Sequence, residues 1–476
     1  MAAKLQLLSD AQMQQFIREG YVLVEADFPV PLHQDIYQRI ETVFDKEKNP
    51  GNNILPREPQ IQRVYDHPAV QGALASILGP DYLMNPHRHC HLNPPGSKGQ
   101  NWHKDNYVFD EILRQPRPRW VFAFYYPQEV TPDMGPTGIL PGRHYQHQVS
   151  SADPALTAET ELPLCGPAGT VAIVHYDAWH RATPNRSERK RYMLKFLFER
   201  LSEPQAAAWN HRGGAWPGTG PPLDPVHAGV WDWLRQAPRA AGGASTSELL
   251  GQLREGEQML RLQAAYRLAG CGEGVVPALV EALVAEAAAV ADHLWHKEPG
   301  NPRGTNPPAC AAGLALAIVG RAAIAPLREL SGHSHWGVRA MAADTLGDMG
   351  PAAQEAVPEL AGLLADDHPR ARRHAAEALG RVGPAAAPAL PALIDRIRDV
   401  DLRVRHNTCL ALAKIGRPAE AAIGPLLETL EDEDRYVRYF AGAALRRMAT
   451  PQSQRLLLDA LFTARWCPVT NPENMY

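Results

Sequence analysis

The hydrophobic pattern changes period near the middle of the chain. The opening stretch "LSDAQMQQFIREGYVLV" spaces its apolar residues helically from an N-cap at Ser9 or Asp10 to Gly20, then becomes strand-like in "YVLV". Further on, "RWVFAFYYP", "GTVAIVHYDAWH" and "RYMLKFLFE" are β-branched and aromatic runs bounded by Pro, Gly or Asn. Many short strands predict a sandwich or jelly roll for residues 1 to about 200. Between about 201 and 245, clusters of Gly and Pro predict an arm without long regular elements, ending in a linker at 242–247.

Beyond the linker the composition shifts to Ala, Leu and Arg, and the pattern repeats. "VRAMAADTLGDMG", "ARRHAAEALGRVG", "VRHNTCLALAKIG" and "VRYFAGAALRRMA" align on Arg339, Arg372, Arg405 and Arg438, 33 residues apart. Leu346, Leu379, Leu412 and Leu445 follow in one phase, and Asp366, Asp399 and Asp432 fall in the turns. Weaker copies begin near Arg261 and Ala309, which makes about six units. Small residues where helices cross, with leucines on the inner face, are what a stacked helix-pair solenoid requires, because each unit buries its apolar stripe only against its neighbours. The pattern resembles HEAT repeats over roughly 250 to 462. In this register the arginines serve the solenoid itself, pairing with the Asp turns or with helix C-termini. One unit is stretched to 48 residues by an insert at 292–308, "DHLWHKEPGNPRGTNPP", which predicts a loop on one face with Trp295 and His296 near the first domain. The expected division is a first domain at 1–241, a linker at 242–247, a solenoid at 248–462 and a tail at 463–476 whose Trp466 and Tyr476 suit docking onto a groove.

Composition narrows the function. With 476 residues the chain supports two to four domains, and 45% hydrophobic against 21% charged residues describes a soluble globular protein. A net charge of −4 gives no basis for phosphate-backbone binding, so nucleic acid is not expected as a partner. Six cysteines without C-x-x-C spacing indicate neither a zinc ribbon nor a disulfide framework and fit a reducing cytoplasm. No signal peptide is recognisable, and no run approaches the ~18 apolar residues of a membrane span.

The candidate chemistry sits in "NWHKDNYVFD". In a strand, His103 and Asp105 share one face while Lys104 points away. His180, at the end of a later strand, would complete a two-histidine, one-carboxylate facial triad. Such a triad binds Fe(II) on one face and leaves three positions for a bidentate 2-oxo acid and O₂. The alternating His87, His89 and His91 of "NPHRHCHLN" face one side of another strand, where His89 or His91 would touch cosubstrate or substrate; a second metal site is the alternative. Trp120, Phe122 and Phe124 alternate as core, with Trp120 at the cosubstrate border.

His103-x-Asp105, "GPTGILPGRH" at 135–144, His180 and an arginine eleven residues beyond it resemble the phytanoyl-CoA dioxygenase family of Fe(II)/2-oxoglutarate oxygenases, over roughly residues 7 to 235. The resemblance implies a double-stranded β-helix with His103, Asp105 and His180 as iron ligands. It also implies that Arg191, or its rival Arg189, grips the distal carboxylate of 2-oxoglutarate. Family members often carry a serine two residues after the distal histidine; here that position is Ala182, leaving Thr183 or another hydroxyl to substitute. The usual Pro-Gly-Ser-His is Pro141-Gly142-Arg143-His144. The implied activity is hydroxylation of a C–H bond of a small molecule, coupled to decarboxylation of 2-oxoglutarate to succinate. Halogenation is disfavoured, since halogenases of this type have a small residue in place of Asp105. The alternative is an interaction scaffold whose repeats recruit a protein partner, with the oxygenase half either acting on a partner-bound substrate or catalytically inactive. Nothing in the sequence selects the substrate.

Overall fold

The computed structural model describes residues 4–105, 116–146, 160–218, 220, 223–238, 245–297 and 310–463. Its first half is built on eight strands: β1 Tyr21–Val24, β2 Tyr82–Asn93, β3 Trp120–Tyr125, β4 Thr137–Ile139, β5 Leu162–Pro163, β6 Val171–His175, β7 His180–Ala182 and β8 Arg191–Arg200. They make a five-stranded sheet in the order β1-β6-β3-β8-β2 and a three-stranded sheet in the order β5-β4-β7, all antiparallel, in a jelly roll. Strand alternation sorts the side chains by face. Phe122, Phe124, Val174, Met193 and Leu197 point inward with Ile139 of the smaller sheet. Val121, Ala123, Ile173, Leu194 and Phe196 point the other way, against Phe16, Ile36, Ile40, Leu74 and Ile77 of a helical layer.

The first helix of that layer, Asp10–Glu19, starts at Ser9 with a capping box to Gln12 and ends at Gly20 in the left-handed region, φ 81°. In the arm, the expectation of no long element is corrected by a 12-residue helix, Asp224–Arg235. Pro225 lies in its first turn, where the missing N–H has no intrahelical partner to lose, so proline does not prevent the helix. The linker is corrected as well: Ser245 is already an N-cap residue and the next helix is Thr246–Glu255, so Thr246 and Ser247 are helical.

Helices Trp336–Met349, Pro369–Val382, Leu402–Ile415 and Arg435–Met448 carry the repeat, and Leu346, Leu379, Leu412 and Leu445 are each fully buried. Burial of such a leucine contributes roughly 1.5–3 kcal/mol. Each arginine reaches 27 residues ahead to the next turn: Arg339 to Asp366 (2.6 and 2.8 Å), Arg372 to Asp399 (2.8 and 2.9 Å) and Arg405 to Asp432 (3.0 and 3.4 Å). Arg438 instead donates to the carbonyls of Asp432 and Glu433. Part of the expected 292–308 loop is helix, since Val276–Lys297 runs unbroken to Lys297. The rest of that insert, the side chains of Trp295 and His296, and the tail beyond Thr463 lie outside the described residues. No single helix among the described residues is long and apolar enough to cross a membrane, and the five described cysteines are free.

The solenoid packs against the jelly roll along a polar seam. Arg117 and Arg119 both reach Asp348 (3.0 and 2.6 Å), and Arg119 grips Glu203 with two bonds of 2.9 and 2.8 Å. Arg447 forks onto Asp81 at 2.6 and 2.9 Å, Tyr439 donates to the carbonyl of Met84, and Tyr436 Oη lies 3.0 Å from His87 Nδ1. The inward apolar cluster of β3 continues through this contact into the repeat helices. The solenoid's first partner is therefore the chain's own sheet domain.

Candidate metal centre

His103 and His180 meet across a single antiparallel bridge in which each donates its N–H to the other's carbonyl at 3.1 Å. Around residue 103 the expected strand shrinks to this one position, so the bridge to His180 places the ring more than strand alternation does. The ring centroids are 4.5 Å apart. Nδ1 of His103 lies 2.9 Å from the Asn101 carbonyl, and Nδ1 of His180 lies 3.0 Å from the Ala178 carbonyl. A carbonyl only accepts, so both Nδ1 atoms carry a hydrogen, which leaves each Nε2 as the ring atom available to a metal. His180 Nε2 is buried, makes no hydrogen bond, and sits 3.7 Å from Asp105 Oδ2. One ligand atom from each of His103, Asp105 and His180 lies within 4.8 Å of the others, the only such cluster of metal-ligating side chains among the described residues.

The electrostatics favour a cation at this point. Burial lowers the His180 pKa to about 4, against the partial opposition of Asp105, so the imidazole is neutral and able to ligate near pH 7. Burial alone would push the Asp105 carboxyl up, but the Lys195 ammonium and the two imidazoles outweigh it and hold the group below the usual carboxylate range. Lys195 Nζ lies 2.7 Å from Asp105 Oδ2, with both side chains largely buried. Sequence reasoning passed over Lys195, although its position four residues after Arg191 on one strand put it on the same face.

Arg191 lies deeper in the jelly roll. Its guanidinium is 1% exposed; Nε donates to the Gly135 carbonyl at 3.0 Å, and the buried NH1 has no hydrogen-bond partner. Burial lowers its pKa, and the groups that oppose this are Tyr126 and Cys90 rather than a carboxylate. Among the described residues no carboxylate pairs with this guanidinium, and a buried donor of this kind is suited to receive an anion. Gly135 makes the approach possible, because at its φ of +68° a Cβ would come within 2.3 Å of Asn93 Nδ2, which donates to the same Gly135 carbonyl. Arg189 is placed differently: its side chain is 55% exposed and faces Glu129 at 3.6 Å.

The remaining expectations divide. His89 and His91 line the inner face of β2, with ring centroids 4.4 Å apart and with His89 Nδ1 and His91 Nε2 buried and unbonded. His89 stands opposite Lys195 in the sheet register, and Asn93 stands opposite Arg191. Thr183 does not replace the missing serine, since its hydroxyl already donates to the Pro136 carbonyl at 2.8 Å. Buried Tyr126 lies within the field of the Arg191 guanidinium and close to Thr137, and neither hydroxyl has a hydrogen-bond partner among the described residues; sequence reasoning missed both. Trp120 is a correction. It pairs with Glu199, at the opposite end of β8 from Arg191, and packs on Tyr176, so it belongs to the core near the solenoid seam and not to the Arg191 pocket.

Comparison with known proteins adds the class. Residues 5–193 match the family model of phytanoyl-CoA dioxygenase (PhyH), and residues 309–379, 324–399 and 390–466 match HEAT repeats. The chain therefore carries a PhyH oxygenase domain followed by HEAT repeats. Solved structures similar to it include a non-heme monooxygenase, the ThoJ–nickel complex (18% identity, TM-score 0.33, covering 45% of this chain and 90% of that one). Another is the non-heme α-ketoglutarate-dependent carbocyclase SnoK from nogalamycin biosynthesis (16%, 0.33, 42% and 88%). A third is EctD from S. alaskensis with 2-oxoglutarate and 5-hydroxyectoine (16%, 0.36, 49% and 86%). No curated protein sequence matches the chain.

Proposed function

We propose that the protein is a non-haem Fe(II)/2-oxoglutarate-dependent dioxygenase that hydroxylates a C–H bond of a small molecule while 2-oxoglutarate is decarboxylated to succinate. The observation that carries this reading is the convergence of two imidazoles, each with Nδ1 tied to a carbonyl and Nε2 presented, on the Asp105 carboxylate. His103, Asp105 and His180 would hold the iron, which would supply the activation of O₂. The donor set fits: two imidazole nitrogens and one carboxylate, with no thiolate among the clustered groups. We assign the catalytic domain to residues 1–241 and the solenoid to the helices that follow Ser245.

The chain's own groups do the rest. Arg191 takes the distal carboxylate of 2-oxoglutarate, with the Tyr126 and Thr137 hydroxyls beside it, which satisfies the buried guanidinium and fixes the cosubstrate's direction. Phe122 and Phe124, whose rings lie 6.1 and 6.2 Å from that of His180, keep water from the reacting face. Lys195 holds Asp105 ionised and fixed in position.

The test is O₂ uptake and succinate release by the full chain with Fe(II) and 2-oxoglutarate. Iron-dependent and 2-oxoglutarate-dependent turnover is expected; a chain that binds iron and never consumes 2-oxoglutarate overturns the reading. In Arg191→Gln, KM for 2-oxoglutarate rises by roughly 30- to 150-fold, the equivalent of about 2–3 kcal/mol for a charge-assisted pair. Iron content stays at the wild-type level, and Arg191→Lys recovers only part of the loss because it keeps the charge without the fork.

A further inference from the structure

The pocket has a second end, away from Arg191. Along β8 the inward positions run Arg191, Met193, Lys195 and Leu197, and the facing register on β2 runs Asn93, His91 and His89 before a bulge that separates Met84 from Arg88. His87, the next inward residue of β2, is met from outside the jelly roll. Its Nδ1 lies 3.0 Å from the hydroxyl of Tyr436, in the first turn of the last repeat helix. Arg435 lies over the Tyr436 ring at 4.9 Å and donates to the same hydroxyl at 3.2 Å. Both Arg435 and Lys195 lie within electrostatic reach of His87 and His89.

The charges are unequal. Lys195 has Asp105, which the proposed metal would claim as a ligand. Arg435 is exposed, and among the described residues no carboxylate forms an ion pair with it. Arg88, its Nε unbonded, pairs with outward-facing Phe196 and so lies on the other face of β2, beside Tyr439 of the same repeat helix. His89 Nδ1 and His91 Nε2 remain buried and unpaired along the path inward. Successive same-face residues of a strand are roughly 7 Å apart, so His87 stands one such step from His89, which faces the lysine that touches Asp105. One row of inward side chains therefore joins the Arg435–Tyr436 corner to the metal centre.

We propose that the last repeat completes the substrate site: Arg435 and Tyr436 form its outer wall and select a substrate carrying an anionic group, a carboxylate or its equivalent, at the end remote from the oxidised carbon. The inference rests on the oxygenase reading. The solenoid then acts as a specificity element, holding the far end of a molecule whose near end lies beside Lys195 and the iron ligands.

The test separates the two claims. Full-length protein is loaded with Mn(II) and saturating 2-oxoglutarate, so that chemistry is silent and the Arg191 site is filled. Binding is then measured for hexanoate against hexanamide and 3-phenylpropanoate against 3-phenylpropanamide. The acids are expected to bind at least about tenfold more tightly than their amides. Arg435→Gln should erase that preference while leaving Mn(II) and 2-oxoglutarate affinities unchanged, Arg435→Lys should restore most of it, and Tyr436→Phe should lower acid binding less. Equal binding of acid and amide, no binding of either acid, or an undiminished preference in Arg435→Gln overturns the proposal. Loss of Mn(II) or 2-oxoglutarate binding in the unaltered protein instead overturns the oxygenase reading and this proposal together.

Discussion

In the Asp105→Ala variant, succinate formation from 2-oxoglutarate falls to background and iron no longer stays with the purified protein. Removing the carboxylate leaves two imidazoles, and a two-ligand site does not hold Fe(II) against dilution. The same substitution has a second consequence. Lys195 is 5% exposed and has its closest anion, 2.7 Å away, in Asp105. Without that carboxylate the ammonium is left buried beside Phe122, and breaking a buried pair in this way costs about 3–5 kcal/mol. Loss of activity in Asp105→Ala alone is therefore ambiguous between a lost ligand and a loosened fold. The double variant Asp105→Ala, Lys195→Met removes the ambiguity, because it deletes both charges and should recover most of the melting temperature while remaining inactive and iron-free. His180→Ala provides the complementary case: it loses iron and turnover but leaves the Lys195–Asp105 pair intact, and so melts closer to the unaltered protein. Retained 2-oxoglutarate turnover in either single variant would remove Asp105 or His180 from the centre.

The two halves of the molecule were legible in the sequence to different degrees, for physical reasons. The solenoid is a one-dimensional object whose contacts are local and periodic, so a phase shared by Arg372, Leu379 and Asp399 already states who touches whom: the Arg372–Asp399 pair recurs at 27-residue separation in three successive units. The convergence of His103, Asp105 and His180 was legible because few residue types can ligate a metal. Its geometry rests on something that spacing does not contain, namely the bridge that turns His103 toward His180. Lys195 was missed because a lysine inside "RYMLKFLFE" reads as a solvent-facing position, whereas the register of β8 carries its side chain inward. Trp120 was misplaced for a related reason: a strand run does not say which of its ends lies nearer the arginine of the next strand. The seam was not legible at all, since Arg119 and Asp348 are 229 residues apart and no local pattern pairs them.

That seam sets the second large effect, because the proposed substrate wall exists only while the solenoid stays docked. Glu203→Ala should destabilise the protein by about 3–5 kcal/mol, measured by denaturant unfolding, because Arg119 keeps only Asp348 and Arg200 and Arg381 lose the carboxylate between them in a buried setting. Asp348 cannot take over, because it is already shared by Arg117 and Arg119 at the far side of the cluster. Stacking of Arg117, Arg119 and Arg200 around Trp233, 5.1 to 5.4 Å from its ring, holds the cations in place but supplies no charge. Glu203 also gives the seam a pH dependence whose sign is fixed. Burial would raise its pKa, but Arg119 and the neighbouring arginines bring it from 4.5 to about 2 in the folded chain. A depressed carboxylate contributes stability that is fully present above the unfolded value and is lost as the pH falls through the folded one, so its share disappears between about pH 4.5 and 2. The Glu203→Gln variant, which keeps the shape and some of the hydrogen bonds, should be less stable than the parent at pH 7, and the gap should narrow across that window. A gap that stays constant from pH 7 to 3 would mean that the carboxylate's charge does not hold the seam, and that the repeats dock on shape and apolar contact alone.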